Sequence, residues 1–251
     1  MSGFNPWLLL CSIVAVAIAL ALSCGSITDR LMPGIGAEHN STISPYLSVI
    51  GLVYGALLGF TVVVSWQQYS AARAVVVAEA TSLTTLYRQT AAMPEPQQRQ
   101  LRALLRTYTT DEGAEWDQQP RNAAHTTLVQ IYRVVGDQPP GVASNPVNGA
   151  FLSELTELAS HRTMRRIETQ PHIPAPLWAG LIAGAIVLTT LTAILRIGSR
   201  AAHAALMSTI ATLLGLLLWI VFTLDHPSGG DVTSASFRHA LKVFDVIDHA
   251  T

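Results

Sequence analysis

Long stretches without a single charged residue dominate the hydrophobic pattern of the sequence. Four of them contain no Asp, Glu, Lys or Arg, and they cover residues 7–23, 46–66, 177–195 and 204–224. A helix needs about 20 apolar residues to cross the roughly 30 Å hydrocarbon core of a bilayer. The pattern therefore predicts an all-α fold with four transmembrane helices. For the first and shortest stretch the alternative is a secretory signal, but the first six residues lack the positive charge that such a signal needs.

A polar insert of about 110 residues separates the second and third stretches. Apolar residues recur in it at steps of three and four, which is the period of amphipathic helices. The recurring positions are Tyr69, Ala72, Val76, Leu83 and Leu86, then Leu101, Leu104, Leu105 and Tyr108, then Leu128, Ile131 and Tyr132, and finally Phe151, Leu152, Leu155, Leu158 and Ala159. We therefore expect a helical insert, with the second and third transmembrane helices extending out of the membrane.

The side of the membrane is predicted from the basic residues, because Lys and Arg are enriched in cytoplasmic loops. Only Arg30, Arg196 and Arg200 among the fifteen basic residues fall on the side opposite the insert and the termini. Arg196 and Arg200 share one short loop, which favours the reverse orientation. The larger count predicts a multi-pass protein of the inner (plasma) membrane with cytoplasmic N- and C-termini. The predicted segments are transmembrane helices one and two at 1–66, a cytoplasmic helical domain at 67–175, transmembrane helices three and four at 176–225, and a cytoplasmic C-terminal tail at 226–251.

Composition narrows the function classes. Charged residues make up 12% of the chain, against roughly 25% in soluble domains, and the net charge of −1 excludes a strongly basic nucleic-acid binder. No nucleotide-binding, serine-hydrolase or zinc-protease motif is present. Cys11 and Cys24 would lie about 20 Å apart on one helix, too far for a disulfide or a metal pair. We therefore expect no enzyme activity, no catalytic residue, no cofactor and no metal site.

The four charge-free stretches also contain no His. Proton relays and coupled pumps usually need an ionisable group within the membrane. The pattern therefore favours a passive channel, or a membrane protein with no transport role.

Glu79 stands out because it lies on the apolar stripe of the extended second helix, between Val76 and Leu83. A buried carboxylate needs a partner. Arg162 and Arg166 lie on the segment that leads back to the third transmembrane helix, at about the same distance from the membrane as Glu79. A structural ion pair of Glu79 with these arginines is the preferred interpretation. The alternatives are a solvated Glu79 and a site for a ligand or ion.

The order of several short motifs resembles one family. The matching residues are Leu58-Gly59-Phe60, Trp66-Gln67-Gln68-Tyr69, Arg73, Glu79-Ala80, Leu86-Tyr87-Arg88, Pro94-Glu95-Pro96, Leu101-Arg102, Glu115-Trp116, and, after the last span, Leu224-Asp225-His226-Pro227 with Gly230-Asp231-Val232. From about residue 39 to 240 the sequence resembles the bacterial bestrophin-like membrane proteins, which are distantly similar to bestrophin anion channels. The family-motif positions are Gly59, Trp66, Tyr69, Arg73, Asp225, Pro227 and Asp231. Read without the resemblance, Asp225 and Asp231 mark a turn that could cap a helix, and they are a weak signal for a cation.

The resemblance implies a homo-oligomer in the lipid bilayer, with a pentamer favoured, that conducts a small anion such as chloride. In bestrophins the second helix lines the pore and carries a hydrophobic neck, which corresponds here to Leu52, Ala56 and Phe60. Calcium gating is not implied, because the acidic run of the animal proteins is missing. The alternative function is a non-conducting membrane scaffold or sensor whose cytoplasmic helices bind a partner.

Overall fold

A computed structural model of the chain describes residues 6–31, 38–115, 123–137, 146–168, 173–195, 197, 199–226 and 230–250. Its helices are α1 (Pro6–Leu31), α2 (Glu38–Gln89), α3 (Glu95–Glu115), α4 (Ala123–Gly136), α5 (Pro146–Glu168), α6 (Ala175–Ile194), α7 (Arg200–Asp225) and α8 (Gly230–Ala250). A short 3₁₀ turn at Thr90–Ala92 follows α2. Within the described residues no strand occurs, and the predicted all-α fold is confirmed for this part of the chain.

Four of the helices, α1, α2, α6 and α7, are long and apolar enough to cross a membrane. They contain the four charge-free stretches of the sequence apart from Leu195, which follows α6. An uninterrupted apolar run can satisfy its backbone hydrogen bonds in hydrocarbon only as a helix or in a closed barrel. The predicted number of membrane-length helices is therefore found in the fold.

The longest helix is α2, which continues without a break for 52 residues. It ends at Gln89, and the 3₁₀ turn that follows stops at Met93, which is extended because a residue before proline is disfavoured in the helical region. The third membrane helix differs from its predicted form. It begins only at Ala175, after Pro174 in an extended conformation, and the preceding helix α5 ends separately at Glu168, so the two do not form one continuous extended helix.

The chain divides into two compact units. The membrane unit comprises residues 1–68 and 171–226, and the polar unit comprises residues 69–170 and 227–251. The tail was expected at 226–251. Residues 227–251 of it belong to the same unit as the insert, because Phe237, Ala240 and Phe244 of α8 are buried in the hydrophobic core of that unit.

The core of the polar unit is built from the predicted amphipathic stripes. Leu83, Leu86, Leu105, Ile131 and Leu155 are among its fully buried side chains. Each contributing helix places one apolar stripe inward at steps of three and four, as a 3.6-residue period requires. This inward face is the setting for the charged groups described below.

Candidate functional site

The predicted pore-lining residues, Leu52, Ala56 and Phe60, lie on one face of α2. Leu52 is 75% exposed and Phe60 is 70% exposed, and Ala56 between them is also exposed. The three residues are spaced four apart and therefore share a face of the helix. In a single copy of the chain, no described residue of the membrane unit buries this face.

The opposite face of α2 packs inside the membrane unit and sets the direction of the exposed stripe. Tyr54 and Leu58 are buried there, and the Tyr54 hydroxyl donates a hydrogen bond of 2.8 Å to the Leu181 carbonyl of α6. A Cβ on Gly184 would lie only 2.4 Å from the Tyr54 ring. Glycine at this position lets the two helices approach closely, so α2 is held with Leu52 and Phe60 pointing away from α6.

Other family-motif residues follow along α2. Gly59 borders the exposed stripe and an added Cβ would meet nothing within 4 Å. Trp66 is 58% exposed, Tyr69 is half-buried and Arg73 is exposed. The exposed guanidinium of Arg73 lies 13 residues beyond Phe60, which is about 20 Å along a helix.

Asp225 joins two helices of the membrane unit. Its Oδ1 accepts a hydrogen bond of 2.9 Å from the Ile173 backbone N–H, and its Oδ2 accepts one of 3.1 Å from the Trp178 indole N–H. The residue is only 3% exposed. The last residue of α7 therefore fixes the start of α6, which gives this motif carboxylate a structural role. Pro227 lies outside the described residues, and Asp231 is the second residue of α8.

A cluster of four charged side chains is buried inside the polar unit. Glu79 of α2 and Glu112 of α3 are fully buried, and Arg162 and Arg165 of α5 are at most 6% exposed. The Arg165 Nε lies 2.6 Å from the Glu79 carboxylate, and the Arg162 Nε lies 2.5 Å from the Glu112 carboxylate. Arg165 also contacts Glu112 through its Nη2. Two carboxylates and two guanidiniums balance in charge, which a buried cluster requires.

Glu79 is buried and paired, but with Arg165 and not with the predicted Arg162 or Arg166. Glu79 contacts Arg165, whereas Arg162 contacts Glu112, and Arg166 is exposed. The reason is the rotation of α5 about its axis. Its buried face steps by four, three, four and three residues from Phe151 to Arg165, and this pattern places Arg165 inward and the next residue outward.

Tyr108 completes the cluster. Its hydroxyl donates a hydrogen bond of 2.9 Å to the Glu79 carboxylate. Burial, together with the carboxylates of Glu79 and Glu112, raises the pKa of the Tyr108 phenol well above its ordinary value. Although burial opposes the charged form, the same two carboxylates raise the pKa of the Arg165 guanidinium. The phenol is therefore a permanent donor and the arginine a permanent charge at neutral pH.

A second charged cluster ties α8 to α3, and the sequence analysis missed it. The Tyr87 hydroxyl donates a hydrogen bond of 2.6 Å to Asp248, and Arg102 and Arg106 each lie 2.7 Å from the same carboxylate. The pKa of Asp248 lies below its ordinary value. Partial burial alone would raise this pKa, but the hydrogen bonds from Tyr87 and Arg106 and the positive charge of Arg102 lower it. An apolar stripe at steps of three and four through Phe237, Ala240 and Phe244 would have predicted this helix.

Neither cluster has the arrangement of a metal centre. Among the described residues no group of three or more His, Cys, Asp or Glu side chains is arranged to hold a metal ion. The Glu79 carboxylate instead faces Arg165 and Tyr108, and the Glu112 carboxylate faces Arg162 and Arg165. The candidate functional surface is therefore the exposed apolar stripe of α2.

Comparisons with known proteins agree with this fold. The Bestrophin-like domain family matches residues 15–233 of the chain. The crystal structure of a bacterial bestrophin homologue from Klebsiella pneumoniae is similar, with a TM-score of 0.73 and 16% identity over 94% of this chain and 98% of that one. Two point variants of the Klebsiella homologue give TM-scores of 0.75 and 0.72, again at 16% identity, over 94% and 93% of this chain and 98% of each of theirs.

No protein with a curated description matches the chain in sequence. The family match nevertheless spans most of the chain, including the stripe on α2 and the Asp225 turn. The four apolar helices and the similar structures agree with it over more than nine-tenths of the length. The chain therefore belongs to the bestrophin-like family of membrane proteins.

Proposed function

We propose that the chain forms a ring-shaped homo-oligomer in the bilayer, with five copies favoured, that conducts small anions such as chloride along a path lined by α2. The observation that carries this proposal is the exposed stripe of Leu52, Ala56 and Phe60. The opposite face of α2 is packed against its own bundle, so the stripe is available to face a central axis. Membership of the bestrophin-like family supports the same assignment of α2.

The side chains of the stripe suit a hydrophobic neck. Leu52 and Phe60 would form two constrictions, and the smaller Ala56 would leave a wider space between them. Apolar constrictions can gate conduction by dewetting. Because no charge lies on this stripe, we assign the attraction of anions to the exposed Arg73, whose ring of positive charges would raise the local anion concentration near one mouth.

The proposal places the polar unit and both termini in the cytoplasm and the membrane unit in the inner membrane. The excess of Lys and Arg on the side of the insert supports this orientation. No enzyme activity is part of the proposal. The buried carboxylates among the described residues are Glu79, Glu112 and Asp225, and they are engaged by arginines, a tyrosine, an indole N–H or a backbone N–H. The ordered charge clusters instead give the polar unit a fixed shape.

The test is halide flux through purified protein in liposomes. Phe60→Ala should raise flux severalfold, because it removes the bulkiest ring of the neck. The matched control is Ile186→Ala, which also truncates an exposed apolar residue, 60% exposed, but on α6. The control should leave flux unchanged. If the parent and Phe60→Ala both pass no more halide than empty liposomes, the channel is contradicted and the alternative of a non-conducting scaffold stands.

A further inference from the structure

A groove in the polar unit runs between α2 and α8. It has a volume of about 410 Å³. Its floor is apolar and includes Val77, Ala80 and Val243, while Arg88 and His239 line it with basic groups. None of the described residues that line it is acidic. Such a groove suits a helix that presents apolar side chains together with a carboxylate.

The outer face of α5 presents that combination. Glu157, Ser160, Met164 and Ile167 are all exposed and follow one another at steps of three and four. Met164 is 50% exposed and Ile167 is 55% exposed, although both belong to a polar surface. This stripe lies on the side of α5 away from the buried arginines, and no described residue of the same copy buries it.

The residues of the α2–α8 groove and those of the outer α5 stripe follow one another in the same order along the polar unit. Within one chain, Glu79 contacts Arg165, and the Ser82 hydroxyl lies 3.3 Å from the His161 ring. These contacts show that α2 and α5 are antiparallel and fix which residues share a level. Continuing the same register places Val77 level with Ile167, and Arg88 within a turn of Glu157.

We infer that the outer stripe of α5 in one copy docks into the α2–α8 groove of the next copy around the ring. A ring in a membrane has its axis along the membrane normal, so every copy lies at the same depth. Only patches at the same level can then meet. The apolar end of the stripe would meet the floor of the groove near Val77, and Glu157 would meet Arg88 and His239.

The contact is heterologous, because two different surfaces of the same chain meet. Heterologous interfaces with a closing rotation generate rings. The inference rests on the proposed function, since it assumes the ring, and it names the surfaces that hold that ring together. It adds a contact that lies outside the neck and within the polar unit, on α2, α5 and α8.

Cysteine cross-linking tests the contact in the full-length protein. With Cys11 and Cys24 replaced by Ser, the pair Val77→Cys and Ile167→Cys should form disulfides between copies under mild oxidation. A ladder of covalent species up to the closed ring is expected. Within one chain the two positions point apart, because each lies two residues, or about 200° of helix rotation, from the pair that binds Glu79 to Arg165.

A matched control uses Val77→Cys with Val129→Cys, because Val129 is also an exposed apolar residue of the polar unit but lies on α4. This pair should give no ladder. Charge reversal provides a second measurement. Arg88→Glu and Glu157→Arg should each weaken assembly about tenfold, since like charges would then meet, and the double variant should recover most of the loss.

The outcomes separate this inference from the proposed function. The contact is supported if Val77→Cys with Ile167→Cys gives a ladder, the Val129→Cys control gives none, and the charge-reversed double variant recovers assembly. A ring of normal mass and normal halide flux without that ladder contradicts the contact and leaves the channel intact. A chain that remains monomeric and passes no halide contradicts both.

Discussion

Removal of the Glu79 carboxylate is the sharpest perturbation of the polar unit. Glu79 accepts from Arg165 and Tyr108 and is fully buried, so Glu79→Ala leaves a cluster with an excess positive charge. Removal of one partner of a buried pair costs about 3–5 kcal/mol. For a chain of this length that lowers the melting temperature by about 6–20 °C, measured by circular dichroism in detergent.

Second substitutions decide whether the pairing is assigned correctly. Arg165→Met added to Glu79→Ala restores charge balance and leaves the contact between Arg162 and Glu112 intact, so it should recover much of the lost stability. Arg162→Met also restores the balance, but it leaves the Arg165 Nε without its acceptor and should recover less. If Glu79→Ala melts within about 2 °C of the parent, less than a kcal/mol is involved and the buried pair is refuted.

Two further predictions concern the remaining carboxylates. Asp225→Ala should lower the free energy of unfolding by about 3 kcal/mol, because it strands the N–H groups of Ile173 and Trp178 that it accepts from, and denaturant unfolding in detergent measures this. The pKa of Asp248 is lower in the folded chain than its ordinary 3.8, so its contribution is fully present above that pH and is lost as the pH falls through the folded value. Melting temperatures should fall more steeply below about pH 4 in the parent than in Asp248→Asn, and equal slopes would contradict the assignment.

The membrane helices could be predicted because lipid imposes a severe constraint on sequence. Any stretch that crosses hydrocarbon must be apolar throughout and must satisfy its own backbone. The resemblance pointed to Leu52, Ala56 and Phe60, and their four-residue spacing predicted that they share one face of the helix. The exposure of this stripe could not be predicted in the same way. It depends on the hydrogen bond from Tyr54 to the Leu181 carbonyl beside Gly184, which joins residues 127 positions apart in the sequence.

The polar unit was predictable in part. The apolar stripe around Glu79 correctly indicated burial, since a carboxylate on such a stripe turns inward with its neighbours. To predict the partner of Glu79, one must know which face of α5 points inward. The spacing of the buried residues from Phe151 to Arg165 shows that face. Glu112 could have been found in the same way, because it continues the stripe of Leu101, Leu105 and Tyr108 by one turn.

The central claim is that α2 lines a path at the axis of a ring, and a path built from one helix per copy requires several copies. The mass of the complex in lipid nanodiscs, measured by native mass spectrometry, tests it most directly. Each chain contributes 26.9 kDa. We expect a single closed species whose protein mass is a whole multiple of this value, with five copies favoured. A complex that contains only one or two copies would contradict it.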